Sequence, residues 1–162
     1  MVRKLLLLLG LCAISSLTAR AQDNAELFGG FSYMRFRGSN LAGWEASGQY
    51  KFTDWLGGVA DIDGHYGSIN GIGTSTHTYL FGPQVSWPTR VSPFGHLLLG
   101  GAHNSTAGIG NSSFSMALGG GIDTRITDKF YWRIIQGDYL LTQFGGRSQN
   151  NFRLSTGIVI RF

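Results

Sequence analysis

The sequence holds one cysteine, Cys12, and three prolines among its 162 residues. Only 14% of the residues are charged, and nine are acidic. No apolar run reaches the roughly 20 residues with which a helix crosses a bilayer. Each shortage excludes something. A lone thiol cannot build the disulfide framework that supports many small secreted domains. Few charges beside 13% aromatic residues exclude a disordered chain. The 25 glycines follow no three-residue period, which excludes collagen. No helical period lasts along the chain, so a helical bundle is excluded as well.

What is present begins with a leader pattern. Met1-Val2-Arg3-Lys4 is a short basic region, Leu5 to Leu17 is apolar, and Ala19-Arg20-Ala21 offers small residues at the cleavage positions. This predicts a signal peptide over residues 1–21, cut after Ala21, and a mature domain over 22–162. Cys12 falls inside the apolar run, behind a large Leu11, and does not fit a lipoprotein acylation site. Without Arg3, Lys4 and Arg20 the basic count falls from 13 to 10, against nine acids. The mature chain is therefore nearly neutral, and nothing points to nucleic acid as a partner.

The mature chain alternates. From Phe152 to Phe162, Phe152, Leu154, Thr156, Ile158, Ile160 and Phe162 share one parity, opposite Arg153, Ser155, Gly157, Val159 and Arg161. The same pattern sets Ala42, Trp44, Ala46, Gly48, Tyr50 and Phe52 against Glu45, Ser47, Gln49 and Lys51. It sets Leu56, Ala60, Ile62 and Tyr66 against Val59, Asp61, Asp63 and His65. Tyr79, Phe81, Val85 and Trp87 oppose Thr78, Leu80, Gln84 and Ser86. Phe114, Met116, Leu118 and Ile122 oppose Ser115, Ala117 and Asp123. Three runs are noisier. In Glu26 to Phe36, Arg35 shares the parity of Phe31 and Tyr33; in Phe94 to His103, His96 shares that of Phe94 and Leu98. In Phe130 to Phe144, Arg133 and Asp138 lie on opposite parities, and a β-bulge between them would bring both to one face.

These runs predict eight strands of about 9–11 residues. Thr53-Asp54, Pro88 to Ser92 and Thr127 to Lys129 read as short turns. Arg37 to Leu41, Gly67 to Thr76, Asn104 to Ser112 and Gly145 to Asn150 read as longer loops rich in Gly, Ser and Asn. Short turns at one end and longer loops at the other are the habit of outer-membrane barrels, whose termini lie at the short-turn, periplasmic end.

Alternation alone does not separate a membrane barrel from a soluble sandwich. The phase of the charges does. Closing the eight strands places Glu45, Lys51, Asp61, Asp63, His65, Asp123, Arg125, Arg153 and Arg161 on one face. A barrel turns that face to its lumen and the apolar face to lipid. The aromatics cluster at strand ends. Tyr50, Phe52, Trp55, Trp87, Phe94, Phe130, Tyr131, Trp132 and Phe162 would form one interfacial girdle. Tyr33, Phe36, Trp44, Tyr66, Tyr79, Phe114, Phe144 and Phe152 would form the other. The fold expected is an all-β, eight-stranded antiparallel up-and-down transmembrane barrel in contact with outer-membrane lipid. A lipocalin-like soluble barrel would need the reverse phase.

The leader, the eight alternating runs, the opening Leu27-Phe28-Gly29-Gly30-Phe31-Ser32-Tyr33 and the closing Arg161-Phe162 resemble the small eight-stranded outer-membrane barrels: the membrane domain of OmpA, the OmpX group and their opacity-type relatives. The resemblance implies bacterial outer-membrane location. It also implies that Ile158, Ile160 and Phe162 form the C-terminal signal read by the barrel-assembly machinery. No peptidoglycan-binding segment follows Phe162, so an OmpA-like wall tether is not expected.

No catalytic, cofactor or metal motif is found. Asp61, Asp63 and His65 share a strand face, but side chains fill the interior of an eight-stranded barrel and buried charges there must pair. They are expected in a lumenal charge network with Lys51, Glu45, Asp123, Arg125, Arg153 and Arg161. His103-Asn104-Ser105 resembles the His-x-Ser motif of outer-membrane lipid A deacylases, yet Ser113 to Leu118 lacks the acid that would orient the base. Gly119-Gly120-Gly121 and Gly71-Ile72-Gly73 precede no helix and are not nucleotide loops. Eight strands leave no wide pore. The function expected is a structural or surface-interaction role, with an extracellular ligand met through loops 67–76 and 104–112. A narrow porin-like channel and a lipid A-modifying enzyme stand as alternatives.

Overall fold

The computed structural model describes residues 24–36, 38–144 and 147–162, with Phe144 and Arg147 described by backbone alone. The signal-peptide expectation, with Ala19 and Ala21, lies outside the described residues. All regular structure among them is β-strand. The strands are β1 (Ala25–Phe36), β2 (Ser39–Lys51), β3 (Leu56–Ile69), β4 (Ile72–Ser86), β5 (Val91–Thr106), β6 (Ile109–Arg125), β7 (Phe130–Phe144) and β8 (Arg147–Arg161). Each pairs antiparallel with the next, and β1 pairs with β8 to close the barrel. The register fixes the closure: Leu27 faces Ile160 and Met34 faces Arg153. Both ends of the described chain meet at one rim, where Phe162 N donates to Ala25 O at 2.9 Å.

Alternation sorts the side chains. Trp44, Tyr50, Ile62, Phe81, Leu118 and Ile158 stand outward and exposed. Leu154 shares their face, half-buried among its neighbours. Glu45, Asp61, Asp63, Asp123, Arg153 and Arg161 are buried inside. An apolar exterior around a charged interior is stable only where the exterior meets hydrocarbon.

Noise in three runs has three separate causes. In β7, Ile122 faces Ile135 while Asp123 faces Arg133, so Ile134 is the extra residue of a bulge. Ile134 and Ile135 both point outward, and the parity switch brings Arg133 and Asp138 inside together. Thr156 Oγ1 donates to the Arg133 carbonyl at 2.9 Å, supplying a partner at the irregularity. In β5, the whole Phe94–His96–Leu98 parity is buried, and Leu97 and Leu99 face out. In β1, Arg35 does face outward, near the rim remote from the termini.

Among the described side chains, which do not include that of Phe144, the girdles differ from expectation at three residues. Phe36 packs inside with Met34 and Leu41. Phe94 and Tyr131 also point inward, where each ring meets a guanidinium. Tyr50, Phe52, Trp55, Trp87, Phe130, Trp132 and Phe162 remain exposed at the terminal rim.

The connections differ more. Gly67 to Thr76 and Asn104 to Ser112 are strand, not long loops. Each hairpin turns on two residues: Asn70 and Gly71 with φ of 51° and 79°, and Ala107 and Gly108 with φ of 51° and 79°. Paired positive φ values are the type I′ turn, whose twist matches that of the flanking strands. The connections at the terminal rim are longer, spanning 52–55, 87–90 and 126–129. Strands of 12 to 17 residues at ~3.3 Å per residue and ~40° tilt cover roughly 30–43 Å. The longest exceed the ~25–30 Å apolar band, so the remote ends of the hairpins stand clear of it.

Candidate functional site

The interior is built in layers. At its centre Arg153, fully buried, meets four carboxylates. Nε and Nη2 donate to Asp138 Oδ2 at 2.9 and 2.7 Å. Nη1 donates to Asp61 Oδ1 at 2.9 Å and to Asp63 Oδ2. Glu45 Oε2 lies 3.5 Å from Nε. Gln136 Nε2 ties two of these acids together, donating to Glu45 at 2.7 Å and Asp138 at 2.8 Å. Space for Asp138 comes from Gly119 opposite it: a Cβ there would sit 1.9 Å from Asp138 Oδ1. Arginine suits the place because its planar fork serves several carboxylates at once.

Two histidines flank the centre. His96 Nε2 is 2.7 Å from Asp138 Oδ1. His65 Nδ1 is 3.2 Å from Asp63 Oδ1 and its Nε2 is 2.9 Å from Ser32 Oγ. Ser32 in turn bonds Ser155 Oγ at 2.8 Å, and Ser155 donates to Glu45. Ser32, His65 and Asp63 thus have the connectivity of a hydrolytic triad. All three are at most 1% exposed, so no substrate reaches the hydroxyl. Ser32 was not legible as a partner of His65, because 33 residues and two strand boundaries separate them.

Toward the terminal rim lies a second charge layer. Arg133 donates to Asp123 through Nε at 2.8 Å and Nη2 at 3.2 Å. Its guanidinium is sandwiched between Phe28 and Phe94, 4.3 Å from each ring centroid. Cation–π contact of this kind contributes about 0.5–2 kcal/mol. Lys51 pairs with Glu26, which also lies 2.9 Å from Arg161 Nε. Arg125 is the exception among the expected network. It is half exposed at the end of β6 and pairs with Asp128 in the adjacent turn. Strand parity put it in line with Asp123, but it stands where the strand ends and the turn begins.

Beside the central charges, Val59, Leu80, Leu98, Ala117 and Leu140 form an apolar plug, with Leu80 directly opposite Asp61 in register. The interior space beside it, between Phe28, Gln49, Gln84 and Arg133, has a volume of about 10 Å³. That is about the least space that can hold a single water. Among the described residues no group of three or more His, Cys, Asp or Glu side chains is arranged to hold a metal ion.

The motif His103-Asn104-Ser105 does not assemble. His103 Nδ1 bonds Ser112 Oγ at 2.9 Å across the β5–β6 pair, and Ser105 is no partner of it.

No protein-family model matches the chain, and neither does any curated protein. Solved structures do. Neisserial surface protein A shares 13% identity, covers 85% of this chain and 96% of its own, and superposes with a TM-score of 0.67. Ail, the attachment invasion locus protein of Yersinia pestis, shares 18% identity over 85% and 97%, with a TM-score of 0.51. The N-terminal barrel domain of Pseudomonas aeruginosa OprF shares 14% over 86% and 98%, with a TM-score of 0.55. The fold is that of the small outer-membrane barrels. Ail has also been solved with the heparin analogue sucrose octasulfate.

Proposed function

We propose that this chain is a bacterial outer-membrane barrel with a structural or surface-interaction role. One observation carries the reading: the lumen is filled. Arg153 and its four carboxylates fill one side of its central section, and Leu80, Leu98 and Leu140 pack beside them. A scaffold that spans the membrane without a passage leaves the exposed hairpins as the working surface. Connection lengths do not orient the barrel; the hairpin strands that rise beyond the apolar band at the rim remote from the termini support placing the Asn70-Gly71 and Ala107-Gly108 tips outside the cell and the termini in the periplasm.

Those tips have no lysine or arginine between Gly67 and Thr76 or between Asn104 and Ser112. A partner would be met by hydroxyl and amide groups and by shape, not by charge steering. In this they suit a neutral ligand better than the sulfated one seen with Ail. Ile158 on β8 and Phe162 just beyond it stand outward and exposed, with Ile160 half-buried, which suits the proposed C-terminal signal for the assembly machinery. A non-enzymatic role belongs to this reading, and it is supported by the burial of Ser32, His65 and Asp63 and by the bond of His103 to Ser112 rather than Ser105.

Planar-bilayer recording of the purified barrel tests the reading. Silence is expected, and large stable openings would replace it with the narrow-channel alternative. Loss of acyl chains from lipid A, abolished by Ser105→Ala, would instead establish the deacylase.

A further inference from the structure

A polar cavity of about 500 Å³ opens at the terminal rim. The 87–90 turn supplies Thr89 and Arg90 to it, the end of β6 supplies Arg125, the 126–129 turn supplies Ile126, and the interior supplies Tyr131 and Arg161. Three guanidinium groups line it, and no carboxylate does.

Each of the three keeps guanidinium N–H groups that no carboxylate among the described residues occupies. Arg161 has a side chain only 9% exposed and lies flat on Tyr131, 3.7 Å from the ring centroid. Its Nε is 2.9 Å from Glu26 Oε1 but makes no hydrogen bond, and Nη2 is 3.9 Å from Asp123. Glu26 and Asp123 are already shared with Lys51 and Arg133. Arg90 has no carboxylate within 4.0 Å among the described residues. Arg125 is held by Asp128, whose side chain is 87% exposed and therefore readily displaced. Lys129, in the same turn as Asp128, adds a further positive charge to this rim, and Asp54 in the 52–55 turn adds a negative one.

We propose that this cavity binds a phosphate group. Guanidinium forks present paired N–H donors at the spacing of phosphate oxygens, and such charge-assisted bonds are the strong ones. Stacking on Tyr131 holds Arg161 in place, so little side-chain freedom is lost on binding. The exposed Trp87, Phe130, Phe52 and Trp55 at the same rim set the cavity at headgroup depth. A phospholipid phosphate and a free phosphate both reach it.

The test uses the barrel refolded in maltoside detergent, which carries no phosphate. Inorganic phosphate binding is read by phosphorus NMR. Retention of phosphatidylglycerol is read by native mass spectrometry against diacylglycerol, which lacks the phosphate. The double variant Arg90→Gln/Arg125→Gln alters only exposed side chains, and heat-shifted mobility on SDS gels verifies its fold. Binding to wild type, weakened roughly tenfold or more in the double variant, is expected. Arg90→Lys/Arg125→Lys, which keeps the charge but loses the fork, should fall between. Retention of phosphatidylglycerol alone assigns the site to a headgroup, and binding of inorganic phosphate alone assigns it to a soluble anion. Wild type that binds neither probe, phosphatidylglycerol retained no better than diacylglycerol with no phosphate binding, or a double variant equal to wild type overturns the proposal.

Discussion

Arg153 on β8 and Asp138 on β7 face each other directly in register, and two guanidinium nitrogens converge on one oxygen, Asp138 Oδ2, at 2.9 and 2.7 Å. The pair exists only because the β7 bulge returns Asp138 to the interior. Around it, removal of the arginine would leave four carboxylates buried together. Arg153→Met should lower stability by about 3–5 kcal/mol, the usual result of breaking a buried network on one side. Urea titration of barrel folded into lipid vesicles measures this; an unchanged midpoint would show that the cluster contributes nothing.

Deletion of Ile134 removes the extra residue of the bulge. Either Arg133 or Asp138 must then turn toward lipid, at a cost that for an arginine falls from about 2–4 kcal/mol at the midplane to about 0–1 kcal/mol at the interface. The deletion variant should fail to gain heat-shifted mobility on SDS gels, whereas Ile134→Val should retain it. A folded deletion variant would mean that the strand can re-register at no loss.

Ala107 holds a φ of 51° in a turn that favours asparagine or glycine. L-residues give up roughly 1–2 kcal/mol in that region, and Asn less. Ala107→Asn should therefore raise stability by about 0.5–1 kcal/mol, and Gly108→Val should reduce it by more. Equilibrium unfolding of the two variants against wild type compares them, and opposite signs are the required result.

Single cysteines at Trp44, Ile62, Phe81, Leu118 and Ile158 should react with a lipid-soluble reagent in vesicles. Cysteines at Glu45, Asp61 and Asp123, where they permit folding, should not. Reversal of the two groups would describe an inside-out, soluble barrel.

Strand number and facing were legible because period-2 alternation survives wherever one face meets lipid and the other meets charge. Trp44 against Glu45 and Ile158 against Arg153 needed no structure to be sorted. The bulge was legible as a conflict between Arg133 and Asp138, since no single parity shelters both. Connection lengths were not. Ser, Thr, Asn and Gly from Gly67 to Thr76 look like loop by composition, yet Thr74, Thr76 and Thr78 all turn inward in strict alternation. The Asn70-Gly71 pair was the available signal, being a strong marker of a two-residue hairpin. The partners of the buried charges were legible only as a set. Which carboxylate meets Arg153 depends on shear around the barrel, and no local pattern encodes that.

The two-residue tips have a consequence for recognition. A flexible loop must surrender conformational entropy when a partner fixes it, and that loss is subtracted from the contact energy. Asn70-Gly71 and Ala107-Gly108 are already fixed by the hydrogen-bonded ladders beneath them, so a ligand docking there would order almost nothing. Such a surface discriminates by fit and tolerates little reshaping: a partner is accepted as the ribbon stands or is not accepted at all.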